Sequence, residues 1–117
     1  MDYSICLKHI EPIKRALKCD QIESKNYSWY NKNAQIDLVG DRNDDVVNLC
    51  EIKFYNDEFT IDAGYLEKLR TKEREFRNYT KTKKGIYTSF ISTWGIKSNQ
   101  YSTAIVSNEL SMADLFQ

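Results

Sequence analysis

No apolar run in this chain approaches the ~20 residues that a membrane-spanning helix needs, and the N-terminus has no hydrophobic signal-peptide core. A helical membrane protein is excluded on that ground, and a reducing cytoplasm is the simplest setting. Cysteine is scarce: Cys6, Cys19 and Cys50 are odd in number, widely spaced and free of any CxxC pairing with His. They support neither a disulfide framework nor a zinc site. Charge of one sign is missing as well, since 17 Lys and Arg meet 17 Asp and Glu. Bulk charge therefore predicts no nucleic-acid or membrane partner, and any attraction to phosphate has to be local. Internal repeats and low-complexity stretches are absent. No Walker-type Gly-rich loop occurs, so the chain does not hydrolyse ATP unaided.

What is present is an ordinary globular mixture, with 41% hydrophobic and 29% charged residues over 117 positions. That suits one compact domain with a real core. Ile10, Ile13 and Leu17 recur at helical spacing, and Pro12 fits a first turn, which predicts a helix starting near Glu11. Gln21 to Asn33 is polar with interspersed aromatics and reads as a strand followed by a loop. Ala34–Gly40 and Val46–Phe54 are β-rich runs around DRNDD, a turn sequence, and predict a hairpin. Ile61 to Tyr79 predicts the longest helix, docked through Ile61, Tyr65, Leu69 and Phe76 with help from Leu66. GIYTSFIST predicts a strand, Trp94-Gly95 a turn, and TAIVS a last strand. Ser111 is placed to cap a terminal turn through MADLF. This order packs as a central sheet with helices on its faces.

The hairpin holds the chemistry. Side chains alternate between the faces of a strand, so Asp37 shares a face with Gln35 and Val39, and Glu51 with Leu49 and Lys53. If Asp37 pairs opposite Glu51, Gln35 falls opposite Lys53 and the turn centres on Asp44. The other face is then core, made of Ile36, Leu38, Val46, Cys50, Ile52 and Phe54, and broken only by Asn48. Two carboxylates at cross-strand positions lie about 5 Å apart at Cβ. Like charges that close raise one pKa unless a cation neutralises them. Mg²⁺ would satisfy both acids, keep several waters and accept a substrate phosphate. Lys53 could lower a water's pKa or stabilise charge on the phosphate. The plain alternative is a salt-bridge cluster of Asp37, Glu51 and Lys53 on a solvated sheet face.

Asp in QIDLVG and the Glu and Lys of NLCEIKF, followed by a helix, resemble the PD-(D/E)XK nuclease superfamily. More narrowly, QIDLVGDRNDDVVNLCEIKFYNDEFTID, TKTKKGIYTSFIST and NELSMADLF resemble the C-terminal domain attached to bacterial and archaeal P-loop ATPases, over Ile5 to Phe116. The resemblance implies a single nuclease-like domain over residues 1–117, the C-terminal part of a larger ATPase. Its fold would be α/β, with a restriction-endonuclease-like αβββαβ core and a mixed central sheet flanked by helices. Asp37 takes the place of the first acid, and Glu51-Ile52-Lys53 that of the ExK. Asp37, Glu51 and Ile52 would contact Mg²⁺ or Mn²⁺, and Lys53 would be the catalytic lysine. Ile36 stands where the superfamily name has Pro. Members often add a Glu from the first helix, but neither Glu11 nor Glu23 matches such a motif well.

The remaining features have plainer readings. His9, beside the first helix's apolar stripe, reads as a core-edge or surface imidazole rather than a general base. Trp29, Trp94 and the tyrosines fill a core or an interface more readily than they stack on bases. Lys81, Lys83 and Lys84, with Lys68, Arg70, Lys72, Arg74 and Arg77, could follow a phosphate backbone. The interleaved Glu67, Glu73 and Glu75 favour a solvated helix face carrying ion pairs. The expectation is a Mg²⁺- or Mn²⁺-dependent endonuclease module, acting on DNA and gripping it as a homodimer or with the ATPase domain. The alternative is a catalytically inactive nuclease-fold module that binds nucleic acid or protein.

Overall fold

The expected hairpin is the centre of the fold. In the computed structural model, residues 23–111 are described. Strand β2 (Gln35–Arg42) and strand β3 (Val46–Lys53) run antiparallel, with Leu38 opposite Cys50, Val39 opposite Leu49, Gly40 opposite Asn48 and Asp41 opposite Val47. This is the register inferred from the alignment of polar residues. The turn is closed by Asp45 at φ 66, a left-handed conformation that a short polar side chain tolerates. Strand β1 (Ser24–Tyr30) adds to β2 antiparallel, confirming a strand in the polar segment after residue 21.

Helix α1 (Ala63–Thr80) then carries the chain back to strand β4 (Gly85–Ser92), which lies parallel to β3. Asp62 caps α1 by accepting from Tyr65 N at 2.8 Å, and Lys81 ends it in the left-handed region at φ 58. Leu66, Leu69 and Phe76 form the buried stripe of α1. A short helix α2 (Gln100–Ile105) leads to strand β5 (Val106–Ser111), parallel to β4. The sheet order is β1-β2-β3-β4-β5. The chain is thus α/β around a mixed five-stranded sheet, and its described part contains the βββαβ of the expected core. No helix among the described residues is long and apolar enough to cross a membrane.

Two expectations need correction. TAIVS is not one strand, because Thr103–Ile105 close α2 and the strand begins at Val106. The cause is a capping box: Asn99 Oδ1 accepts from Ser102 N at 2.8 Å and Ser102 Oγ from Asn99 N at 3.0 Å. That local geometry outweighs the β propensity of Thr-Ala-Ile-Val. Ser111 ends β5 in the extended backbone that a cap residue takes, and the turn it is expected to cap lies outside the described residues. So do the first helix, His9 and Glu11.

The second correction concerns the hairpin's faces. Only one was expected to be core, yet Val39 and Leu49, on the Asp37 face, are buried alongside Leu38, Cys50 and Ile52 on the other. A central strand with a parallel neighbour is covered on both sides, which is why VVNLCEI reads as a nearly continuous apolar run. Val39 and Leu49 pack in one cluster with Phe76 of α1. Glu51 therefore lies under a helix, not on an open sheet surface.

Candidate active site

Asp37 stands where the hairpin opens. The paired ladder of β2 and β3 ends at Leu38 opposite Cys50. One donor further along, Ile52 N–H gives its hydrogen bond to Asp37 Oδ2 at 3.0 Å. A side-chain carboxylate thus stands in for a main-chain acceptor of the neighbouring strand. In extended backbone the N–H and C=O of one residue point the same way, so the Ile52 carbonyl faces this fork as well.

Glu51 projects from β3 toward α1 and is buried, with 3% exposure. Its Oε1 meets Lys72 Nζ of α1 at 2.5 Å. Burial pushes the Glu51 carboxyl above the usual carboxylate range. Lys72 pulls it back, Asp37 pushes it up again, and Lys53 lowers it. Extending the β2–β3 register by one residue puts Asp37 opposite Glu51, and Lys53 lies two residues further along β3. Lys53 does not contact either carboxylate, however. Its ammonium lies 5.4 Å from the Tyr65 ring centroid and 5.9 Å from that of Phe59, a cation–π seat that holds the charge at the cleft wall.

The aromatic floor has its own supports. Phe59 stacks on Phe90 with centroids 5.6 Å apart, and Tyr65 meets Phe59 edge-on at 5.1 Å. Phe90 is the β4 partner of Glu51, so the acid sits beside an apolar wall. Phe59 is fixed by main-chain bonds to the turn after β4, with its N–H on Gly95 O at 3.0 Å. Gly95 takes φ 89 there, which favours glycine. Among the described residues, the Tyr65 hydroxyl is a buried polar atom with no hydrogen-bond partner. Burial raises its pKa, and Glu51 and Asp37 raise it further.

A cleft of about 450 Å³ opens beside these groups, lined by Gln35, Lys53, Tyr65, Lys68, Thr71 and Lys72 among others. Two of these residues, Tyr65 and Lys72, were not foreseen as site members. Lys72 was assigned to a solvated, ion-paired helix face. That description holds for Arg70, which pairs with Glu67 at 3.1 Å on the exposed side. It fails for Lys72, and also for Glu73, which accepts from Thr88 Oγ1 of β4 at 2.7 Å. The missed signal was periodicity: Tyr65, Leu69, Lys72 and Phe76 recur at helical spacing on one stripe. Glu23 is remote from the site, since its Oε2 accepts from Asn43 Nδ2 at the hairpin turn. Trp29 packs against Phe76 at 5.4 Å, in keeping with a packing role, whereas Trp94 is exposed.

The donor set suits a hard divalent ion held by few protein ligands. No cluster of three or more His, Cys, Asp or Glu occurs among the described residues. Each carboxylate nevertheless commits one oxygen inside the protein, Asp37 Oδ2 to Ile52 and Glu51 Oε1 to Lys72, and keeps the other. Mg²⁺ is commonly bound through one or two carboxylates plus waters and phosphate oxygens. A water of a hydrated ion at this locus could also donate to the buried Tyr65 hydroxyl oxygen.

No family model matches this chain, and no curated protein matches it. Among solved structures, the crystal structure of a protein of unknown function, AF1548, superposes with a TM-score of 0.56 at 15% identity. The match covers 92% of this chain and 63% of that one, so this chain spans well under the neighbour's full length. The likeness is one of fold.

Proposed function

We propose that the domain is a metal-dependent phosphodiesterase acting on nucleic acid, with DNA as its first substrate, in the cytoplasm and as a module of a P-loop ATPase. One observation carries the reading: two carboxylates from neighbouring strands, Asp37 held by Ile52 N–H and Glu51 held by Lys72, lie next to a cleft whose wall bears Lys53, Lys68 and Lys72. The ATPase context comes from the sequence resemblance alone. Asp37 and Glu51 would hold Mg²⁺ or Mn²⁺, with Ile52 beside them. The ion would supply charge neutralisation and a water acidic enough to attack phosphorus. Lys53, held on its aromatic seat, faces the cleft to stabilise charge growing on phosphate oxygens. The apolar wall of Phe59 and Phe90 keeps the local dielectric low, which strengthens that interaction. A domain of this size grips little duplex alone, so a second copy or the ATPase would complete the contact.

A second reading keeps the fold as a binding module that does not cut. It is favoured by the Lys72–Glu51 ion pair, which already gives Glu51 a cation. Incubating the chain with single- and double-stranded DNA and RNA in Mg²⁺ or Mn²⁺ separates the two. Cleavage that chelator removes, and that Asp37→Ala and Lys53→Ala each abolish while their circular dichroism stays native, is the expected result. Intact substrates under every condition would overturn catalysis and leave the binding module.

A further inference from the structure

Lys72 lies between Leu69 and Phe76 on the stripe of α1 that faces the sheet, where apolar residues are the rule. Its side chain is 21% exposed and that of Glu51 4%, so the contact between them is largely removed from water. A buried carboxylate beside a second acid needs a cation to persist as an anion. Lys53 does not provide it by contact, being seated over Phe59 and Tyr65. Lys72 does, at Glu51 Oε1. The same residue lines the cleft together with Lys53 and Lys68, so a modest turn of its flexible stem carries the ammonium from the acid to open space.

We infer that Lys72 is a tethered counter-cation: it holds the carboxylate pair in the metal-free protein, and an entering divalent ion displaces it from Glu51 into the cleft. This inference rests on the metal-binding reading above. The exchange makes no covalent bond and moves no proton, because the ammonium leaves charged. It couples two events, since the ion that charges the acid site also releases a positive charge toward the place a phosphate would occupy. Lys72 is here a positioning residue, acting through Glu51.

Two measurements on the full chain test it. Calorimetric titration with Mn²⁺ compares wild type with Lys72→Gln, whose amide keeps a hydrogen bond to Glu51 but carries no charge. Lysine acylation read by peptide mass spectrometry compares Lys72 with Lys84, with and without Mn²⁺, and needs no variant to fold. The expected results are Mn²⁺ binding tighter by roughly tenfold or more in Lys72→Gln, and Mn²⁺-accelerated acylation of Lys72 with Lys84 unchanged. Binding confined to Lys72→Gln would overturn the displacement, leaving Lys72 a permanent counter-cation, and would end metal catalysis by the native chain. Equal affinities with unchanged acylation would overturn the inference and leave the metal site standing. Binding by neither protein would overturn both.

Discussion

At the turn end of the β2–β3 hairpin, Lys84 Nζ meets Asp41 Oδ1 at 2.7 Å; at the open end, Lys72 Nζ meets Glu51 Oε1 at 2.5 Å. The chemistry is the same, but the surroundings are not. The side chains of Asp41 and Lys84 are 31% and 30% exposed, whereas that of Glu51 is 4% exposed. The titration of neighbouring groups follows. Beside the turn, a hydrogen bond from Arg42 holds Asp44 below the usual carboxylate range. At the open end, burial outweighs Lys72 and lifts Glu51 above it. Solvated charges near a turn are neutralised readily and are worth little. A buried pair adds little net stability, yet it is severely damaged when one partner is lost. The two ends show that contact distance alone does not give an ion pair its weight.

The sharpest way to break this comparison is to remove each lysine in turn. In chelator, Lys72→Met should destabilise the fold by roughly 3–5 kcal/mol, because it strands a buried carboxylate. Lys84→Met should cost about 1 kcal/mol or less. Equal losses in urea unfolding would mean that burial does not separate the two ends. Between these extremes lies Asp37→Ala, which leaves Ile52 N–H without its acceptor and should cost about 1–3 kcal/mol. Asp37→Asn keeps an oxygen there and should recover most of that stability while still losing Mn²⁺ binding. Failure of the asparagine to recover stability would show that charge, not the hydrogen bond, matters at the fork.

The smallest effect at neutral pH concerns the phenols. Burial raises the pKa of Tyr65 at the open end, with Glu51 and Asp37 adding to it; burial and then Asp41 raise that of Tyr27. A folded value above the unfolded ~10 means that these tyrosines stabilise the fold fully below pH ~10, and that this is lost as pH rises through the folded values. Phenolate absorbance from Tyr65 should therefore appear only as the chain unfolds in alkali. A difference spectrum against Tyr65→Phe that titrates in the folded state would contradict this.

Much of the scaffold was legible. The hairpin register could be read because the turn residues and the alignment of Asp37 with Glu51 select the same pairing. Helix α1 showed its docked stripe, and Gly95 its turn. Helix α2 was not visible because its stop and start depend on one side-chain capping contact within a β-rich string. The second buried face of the hairpin escaped notice because the alternation of Asp37, Glu51 and Lys53 marks it as polar, whether as a metal site or as a solvated face. Lys72 escaped for a related reason. A lysine among Arg and Glu looks solvated, although its phase on the helix places it with Leu69 and Phe76.

By itself, the sequence determined what depends on neighbours along the chain: alternation in the strands, helical phase in α1, and the carboxylates and lysine that the hairpin brings to one face. Only the tertiary structure decided which cation Glu51 meets, how dry it is, and that an orphaned phenol lies beside it. Glu51 and Lys72 are 21 positions apart. Their meeting depends on how α1 is laid across the sheet, and no local pattern encodes that distance.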